Sequence, residues 1–216
     1  GNIRSLVRLP LGREAAGEQY DESFIQDLVF ESPRTLPVAE IDSAYAGLVP
    51  VCKELVTDAG PLDVLFVTPK GRIAMVEAKL WRNPEARRRV VAQVLDYAKE
   101  LSKWDYEDLL REVNKNLHEK GNTLYRLVQE KTDALDEASF VDEVSRSLSR
   151  GRFLLLIVGD GIREGAATIT DFLESFGRLE FTFGLVELGL YHNKEIGLLI
   201  QPRVLARTVE LRRIVI

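Results

Sequence analysis

The chain has 216 residues, 29 basic and 34 acidic side chains, a net charge of −5 and 45% hydrophobic residues. Such values belong to an ordinary globular protein and exclude a disordered or low-complexity chain. One cysteine, Cys52, and two histidines, His118 and His192, exclude a disulfide framework, a structural zinc site and His-rich metal chemistry. No apolar run approaches the ~18 residues of a membrane span, so no membrane partner is expected. Residues 1–13 lack the hydrophobic core of a signal peptide, and a reducing cytoplasm is the expected compartment.

Residues 1–19 are expected to form a loose N-terminal extension, with a single domain over 20–216. A helix is predicted over Tyr20–Glu31, with Asp21 near its start, Phe24, Leu28 and Ile25 facing inward, and Ser32-Pro33 ending it. Leu48–Val56, Leu62–Thr68 and Arg72–Leu80 are predicted strands, rich in Val, Ile, Leu and Phe. Asn83-Pro84 then opens a long helix, with Asn as N-cap and Pro at the first helical position. Its apolar stripe is Val90, Val91, Val94, Leu95, Ala98 and Leu101. Residues 103–150 are charged and helical, broken at Gly121-Asn122, and are expected to be an insertion separate from the core. Phe153–Val158 reads as a buried strand and Gly165–Phe176 as a helix. Glu180–Tyr191 reads as a strand, with Glu195–Gln201 as its hairpin partner across His192-Asn193-Lys194. Val209–Ile216 is a candidate final strand. The order predicts an α/β fold: a mixed β-sheet flanked by helices.

The chemistry concentrates between Pro61 and Lys79. Pro69-Lys70-Gly71 suits a three-residue hairpin loop with Gly at the left-handed position. That loop sets Thr68 opposite Arg72 and, counting outward, Asp63 opposite Glu77, with Cβ atoms roughly 5 Å apart. Strand alternation adds Lys79 to the same face. Opposed like charges are destabilising, and a divalent cation such as Mg²⁺ or Mn²⁺ would relieve them. The other reading is a half-exposed strand whose lysine neutralises its neighbours. Gln93 and Tyr97 share a face of the next helix, either as ligand-orienting groups or as a boundary glutamine and a packed tyrosine. Two stretches are locally basic despite the acidic total: Lys79–Arg89 and Arg203–Arg213. In the first, Arg82, Arg87, Arg88 and Arg89 directly follow the acidic strand and are candidate phosphate contacts. Cys52 reads as core, Trp81 and Trp104 as packing, and Gly159-Asp160-Gly161 as a strand-ending turn.

The pattern resembles the PD-(D/E)XK nuclease superfamily and its restriction-endonuclease-like fold. A helix with an acidic residue comes first. Then come Pro61 and Asp63, Glu77-Ala78-Lys79, and a helix with Gln93 and Tyr97. The proline stands two residues before the aspartate instead of adjacent to it. The stretch Phe140–Tyr191 resembles a group of uncharacterised bacterial proteins with this core. The resemblance covers about residues 20–101 and 140–201. It implies a metal-dependent nuclease acting on DNA, with Asp63, Glu77 and the Ala78 carbonyl as ligands to Mg²⁺ or Mn²⁺. Lys79 would position the water. The first-helix acid would be Glu22, with Glu31 as competitor, and Gln93 and Tyr97 would assist. A catalytically inactive nucleic-acid-binding or interaction module on the same fold is the alternative, followed by metal-dependent chemistry on a small phosphorylated molecule. A homodimer is left open.

Overall fold

The computed structural model describes residues 6–9, 14–15, 18–80, 84–131, 135–160 and 181–208. The predicted helix at 165–176 and final strand at 209–216 lie outside the described residues. Helix α1 (Glu22–Glu31) starts at Asp21, whose side chain accepts the Phe24 N–H, and ends at Ser32. Its buried residues are Ile25 and Val29, not Phe24 and Leu28. Those two sit at the margin, against Leu9, Tyr20 and Leu190, so the inward stripe is rotated by one position. A short helix, α2 (Val38–Ile41), follows.

Strands β4 (Val49–Thr57), β5 (Gly60–Val67) and β6 (Ile73–Leu80) form an antiparallel meander. Strand β7 (Phe153–Asp160) then pairs parallel to β6, and β8 (Thr182–Asn193) pairs parallel to β7. Strand β9 (Gly197–Arg207) returns antiparallel along β8. Past the last β7 partner, β8 is joined by β1 (Val7–Arg8), which completes a mixed seven-stranded sheet. The expected loose extension therefore contributes an edge strand. Its other described pieces, β2 (Glu14–Ala15) and β3 (Glu18–Gln19), form a separate two-stranded ribbon.

The β8–β9 turn is Lys194-Glu195-Ile196, two residues later than predicted, because Asn193 pairs with Gly197. The Asn193 side-chain oxygen accepts the Glu195 N–H at 2.9 Å and the Ile196 N–H at 3.3 Å. A turn stabilised by its own asparagine side chain wins over the more central His192-Asn193-Lys194.

The two sheet faces bury different helices. Val64, Phe66, Ala74, Val76, Leu154 and Leu156 pack with α1 and α2. The opposite face, with Leu65, Val67, Met75, Leu155 and Ile157, is covered by α3 (Pro84–Leu101) and by the helices of the 103–150 block. These are α4 (Tyr106–Leu117), α5 (Thr123–Gln129) and α6 (Glu137–Arg150). The predicted α3 stripe, Val90 to Leu101, is buried throughout.

The expected insertion is not separate from the core. Leu109 and Val113 of α4, Leu124 and Val128 of α5, and Phe140, Val144 and Leu148 of α6 are buried in one cluster with the strands. Charged residues fill the outer faces of these amphipathic helices, and whole-segment charge therefore conceals a buried stripe. Gly71, at φ +70°, turns the β5–β6 loop directly beneath α6. A Cβ there would stand 2.8 Å from the Glu143 Cβ and 3.0 Å from the Val144 nitrogen. Leu109→Ala should consequently cost about 3 kcal/mol of global stability, read as a shifted urea midpoint with an unchanged slope. A loss below about 1 kcal/mol, within the range of surface substitutions, would restore the block to a dispensable add-on.

Candidate active site

The β5–β6 hairpin keeps the register its loop dictates. Gly71 N–H donates to the Thr68 carbonyl at 2.9 Å and Thr68 N–H to the Arg72 carbonyl at 2.8 Å. The ladder runs out to Val64 opposite Val76, and the next residues outward are Asp63 and Glu77. Asp63 is 7% exposed and Glu77 1%. The two carboxylates are held differently. Asp63 Oδ2 accepts the Ala78 N–H at 2.7 Å, and the Gln26 side chain also stabilises its charged form. Glu77 Oε2 meets no donor. Its close counter-charge is Lys79 Nζ, 3.1 Å from Oε1.

Burial and then the Asp63 charge push the Glu77 carboxyl up to about 7, with Lys79 opposing. Burial also raises Asp63, opposed by the Ala78 N–H and Lys79. For Lys79, burial favours the neutral amine, but the charges of Glu77 and Glu22 outweigh it and hold the ammonium protonated. Lys79 is thus a fixed cation and not a base at neutral pH.

Glu22 comes from the first turn of α1. Its Oε1 accepts the Leu80 N–H at 3.1 Å and its Oε2 stands 3.3 Å from Lys79 Nζ. Helix α1 is thereby tied to the end of β6. Glu31 is exposed at the opposite end of α1, so the structure brings Glu22 and not its competitor to the cluster. Gln26, four residues after Glu22, faces the same way. Its position one turn beyond the acidic residue was the signal in the sequence, but a glutamine on a half-buried helix face does not announce an acidic partner.

On α3, Gln93 Nε2 donates to the Tyr97 hydroxyl at 2.7 Å, and that hydroxyl donates to the Pro61 carbonyl at 2.6 Å. Tyr97 is fully buried, and burial followed by the Glu77 charge pushes its hydroxyl up to about 12. Gln93 and Tyr97 therefore hold the strand two residues before Asp63. Among the basic candidates, Arg89 is exposed. Arg82 and the side chains of Arg87 and Arg88 lie outside the described residues. Cys52 is buried, with its thiol pushed up to about 12 by burial, which makes it inert core. Trp104 is partly buried against the core.

A further feature flanks Asp63 on the other side. Lys53 pairs with Val64 and Leu55 with Leu62, so Glu54 falls opposite Asp63. Glu54 adopts φ +52°, a left-handed conformation that costs a non-glycine residue free energy. Asn116 of α4 anchors the distorted strand, donating from Nδ2 to the Lys53 and Glu54 carbonyls at 3.1 and 3.2 Å.

Among the described residues, no group of three or more His, Cys, Asp or Glu side chains is gathered to hold a metal. The donors on offer are two opposed carboxylates and backbone carbonyls. They are hard oxygen ligands, few in number, in the manner of Mg²⁺ sites completed by water. Glu77 Oε2 fits such an ion, because a buried acceptor without a donor requires an explanation. Comparison of the chain with protein-family models, with curated proteins and with solved structures gives no match in any of the three. What the cluster does must be argued from its own geometry.

With its carboxyl raised from 4.5 to about 7, Glu77 holds a proton in the native protein that the unfolded chain releases. Native stability in chelator should fall as pH rises from 4.5 to about 7, by about 3 kcal/mol from this group. Glu77→Gln should flatten that fall. Urea midpoints of both proteins in EDTA between pH 4 and 8 measure it, and equal profiles would locate the proton elsewhere.

Proposed function

We propose that the chain is a divalent-metal-dependent nuclease of the PD-(D/E)XK, restriction-endonuclease-like type that hydrolyses DNA phosphodiester bonds. The observation that carries this reading is Glu77: a buried carboxylate facing Asp63, with Lys79 at Oε1 and no donor at Oε2. A purely structural ion pair would be expected to satisfy its remaining lone pairs. The element order supports the reading too: a helix, an antiparallel meander carrying the acids, a covering helix, then parallel strands.

Asp63 and Glu77, with the Ala78 carbonyl, would hold Mg²⁺ or Mn²⁺. When bound, the cation supplies Lewis acidity and a water of lowered pKa at the phosphate. The remaining work falls to the chain itself. Lys79, held protonated by Glu77 and Glu22, presents an ammonium that orients the attacking water and neutralises charge developing on the phosphate. Glu22 fixes the direction of that ammonium through its second contact with the Leu80 N–H. Gln26 and the Ala78 N–H favour the ionised form of Asp63 against its burial. Tyr97 and Gln93 fix the backbone at Pro61. A single buried thiol suits a reducing cytoplasm.

Asp63→Ala and Glu77→Ala should each abolish Mg²⁺-dependent cleavage of linear duplex DNA without lowering the melting temperature in EDTA. Mn²⁺ at one hundred times its dissociation constant should stabilise the parent protein by about 2.7 kcal/mol and neither variant. Lys79→Met should keep Mn²⁺ binding while turnover falls by two or more orders of magnitude, the scale of a lost transition-state donor. A parent protein that binds Mn²⁺ and cuts neither duplex nor single-stranded DNA would refute the nuclease reading.

A further inference from the structure

The same end of the sheet carries a second charged cluster. Strand β8 is apolar over most of its length, yet Glu187 is only 6% exposed. Each of its oxygens faces an arginine: Arg203 Nη2 is 2.6 Å from Oε2 and Arg8 Nη2 is 3.5 Å from Oε1. Arg8 Nη2 is also 2.5 Å from Asp160 Oδ1. The ladder places this cluster in line with the carboxylate site. Lys79 pairs with Gly159, Gly159 with Glu187, and Glu187 with Arg203. Opposed residues point to one face of a sheet. Lys79 and Arg203 therefore share a face, three strands or about 14 Å apart. Between them β7 contributes only a glycine, so no β7 side chain occupies this row.

Stability alone is a poor account of Arg203. Its side chain is 63% exposed, and ion pairs of that exposure contribute little. What Glu187 does is hold one Nη of a planar guanidinium whose side chain is otherwise largely exposed, so that the fork has further N–H donors to offer. A preorganised fork is a phosphate ligand. The cluster carries two arginines against two acids, so its attraction is directional and not a matter of net field.

We propose that Arg203, assisted by Arg8 and oriented by Glu187, is a second phosphate subsite. It would grip the backbone of the DNA strand whose scissile phosphate lies at Asp63 and Glu77. At about 3.4 Å of axis per nucleotide in one strand, the spacing from Lys79 to Arg203 corresponds to roughly four nucleotides. This rests on the nuclease reading and assigns the subsite to the second basic stretch. Arg207 of that stretch, by contrast, donates to the Glu40 carbonyl.

The test uses the full chain on an Asp63→Asn background, which stops cleavage, with a fluorescent linear duplex titrated at several salt concentrations. Arg203→Gln should weaken binding alike for unrelated sequences and reduce the slope of log K against log salt by about 0.9, the value of one lost phosphate contact. Arg203→Lys, which keeps the charge without the fork, should keep the slope and bind severalfold more weakly. Glu187→Gln should behave as Arg203→Lys does, because the arginine remains but is no longer held. If the parent binds duplex and Arg203→Gln leaves slope and affinity unchanged, the subsite is overturned and the nuclease reading stands. If wild type cuts no DNA and the parent binds none, that reading falls and takes the subsite with it.

Discussion

The burial of Glu77 is the constraint around which the rest of this sheet end is arranged. A carboxylate removed from water is costly unless it is paired and hydrogen-bonded. Here it faces a second carboxylate and keeps one lysine as counter-charge. Every element nearby reduces the cost of that arrangement without removing it. Helix α1 sends Glu22 to Lys79 and Gln26 to Asp63, and α3 anchors the preceding backbone through Tyr97. Strand β6 donates the Ala78 N–H to Asp63, whereas its support for Glu77 is the Lys79 ammonium alone. One side chain thus carries most of the unfavourable electrostatics at this sheet end, burial and the Asp63 charge both acting against its ionisation.

The left-handed Glu54 belongs to the same economy. Opposite Asp63, the Glu54 charge adds to what disfavours the ionised aspartate. Glu54 itself is exposed, so water screens that charge, and Asn116 stabilises its backbone. The helix that does this lies in the block whose composition had suggested an independent insertion. Its role in the fold and its support of the acidic row cannot be separated.

What the sequence made legible was local. The Pro69-Lys70-Gly71 loop sets a register by turn geometry alone, and that register places Asp63 against Glu77. The α3 stripe follows from its 3.6-residue period. Misreadings arose where distant chain decides. Phe24 and Leu28 are as apolar as Ile25 and Val29, and only the angle at which α1 meets the sheet selects between the pairs. The apolar stripes of α4, α5 and α6 were diluted by charge on their outer faces. Gln26, Asn116 and the Glu187 cluster act across gaps of tens to more than a hundred residues, which no spacing rule encodes. Glu22 stood out over Glu31 in the sequence only by resemblance, whereas in the fold its distance to Lys79 separates the two.

The parallel pairing of β6 with β7 has a kinetic side. Residues 73–80 must wait for residues 153–160 before that ladder forms, and loop closure over such a span is slow compared with hairpin formation. During synthesis the β4–β5–β6 meander emerges before β7, which leaves one edge of β6 unpaired until then. At that stage Glu77 still lacks Ile157, its neighbour on β7. The share of the carboxylate's burial that β7 supplies thus follows the hairpin that sets the register. The charged residue at the open edge meanwhile discourages pairing with another nascent chain, so the group that strains the finished protein protects the unfinished one.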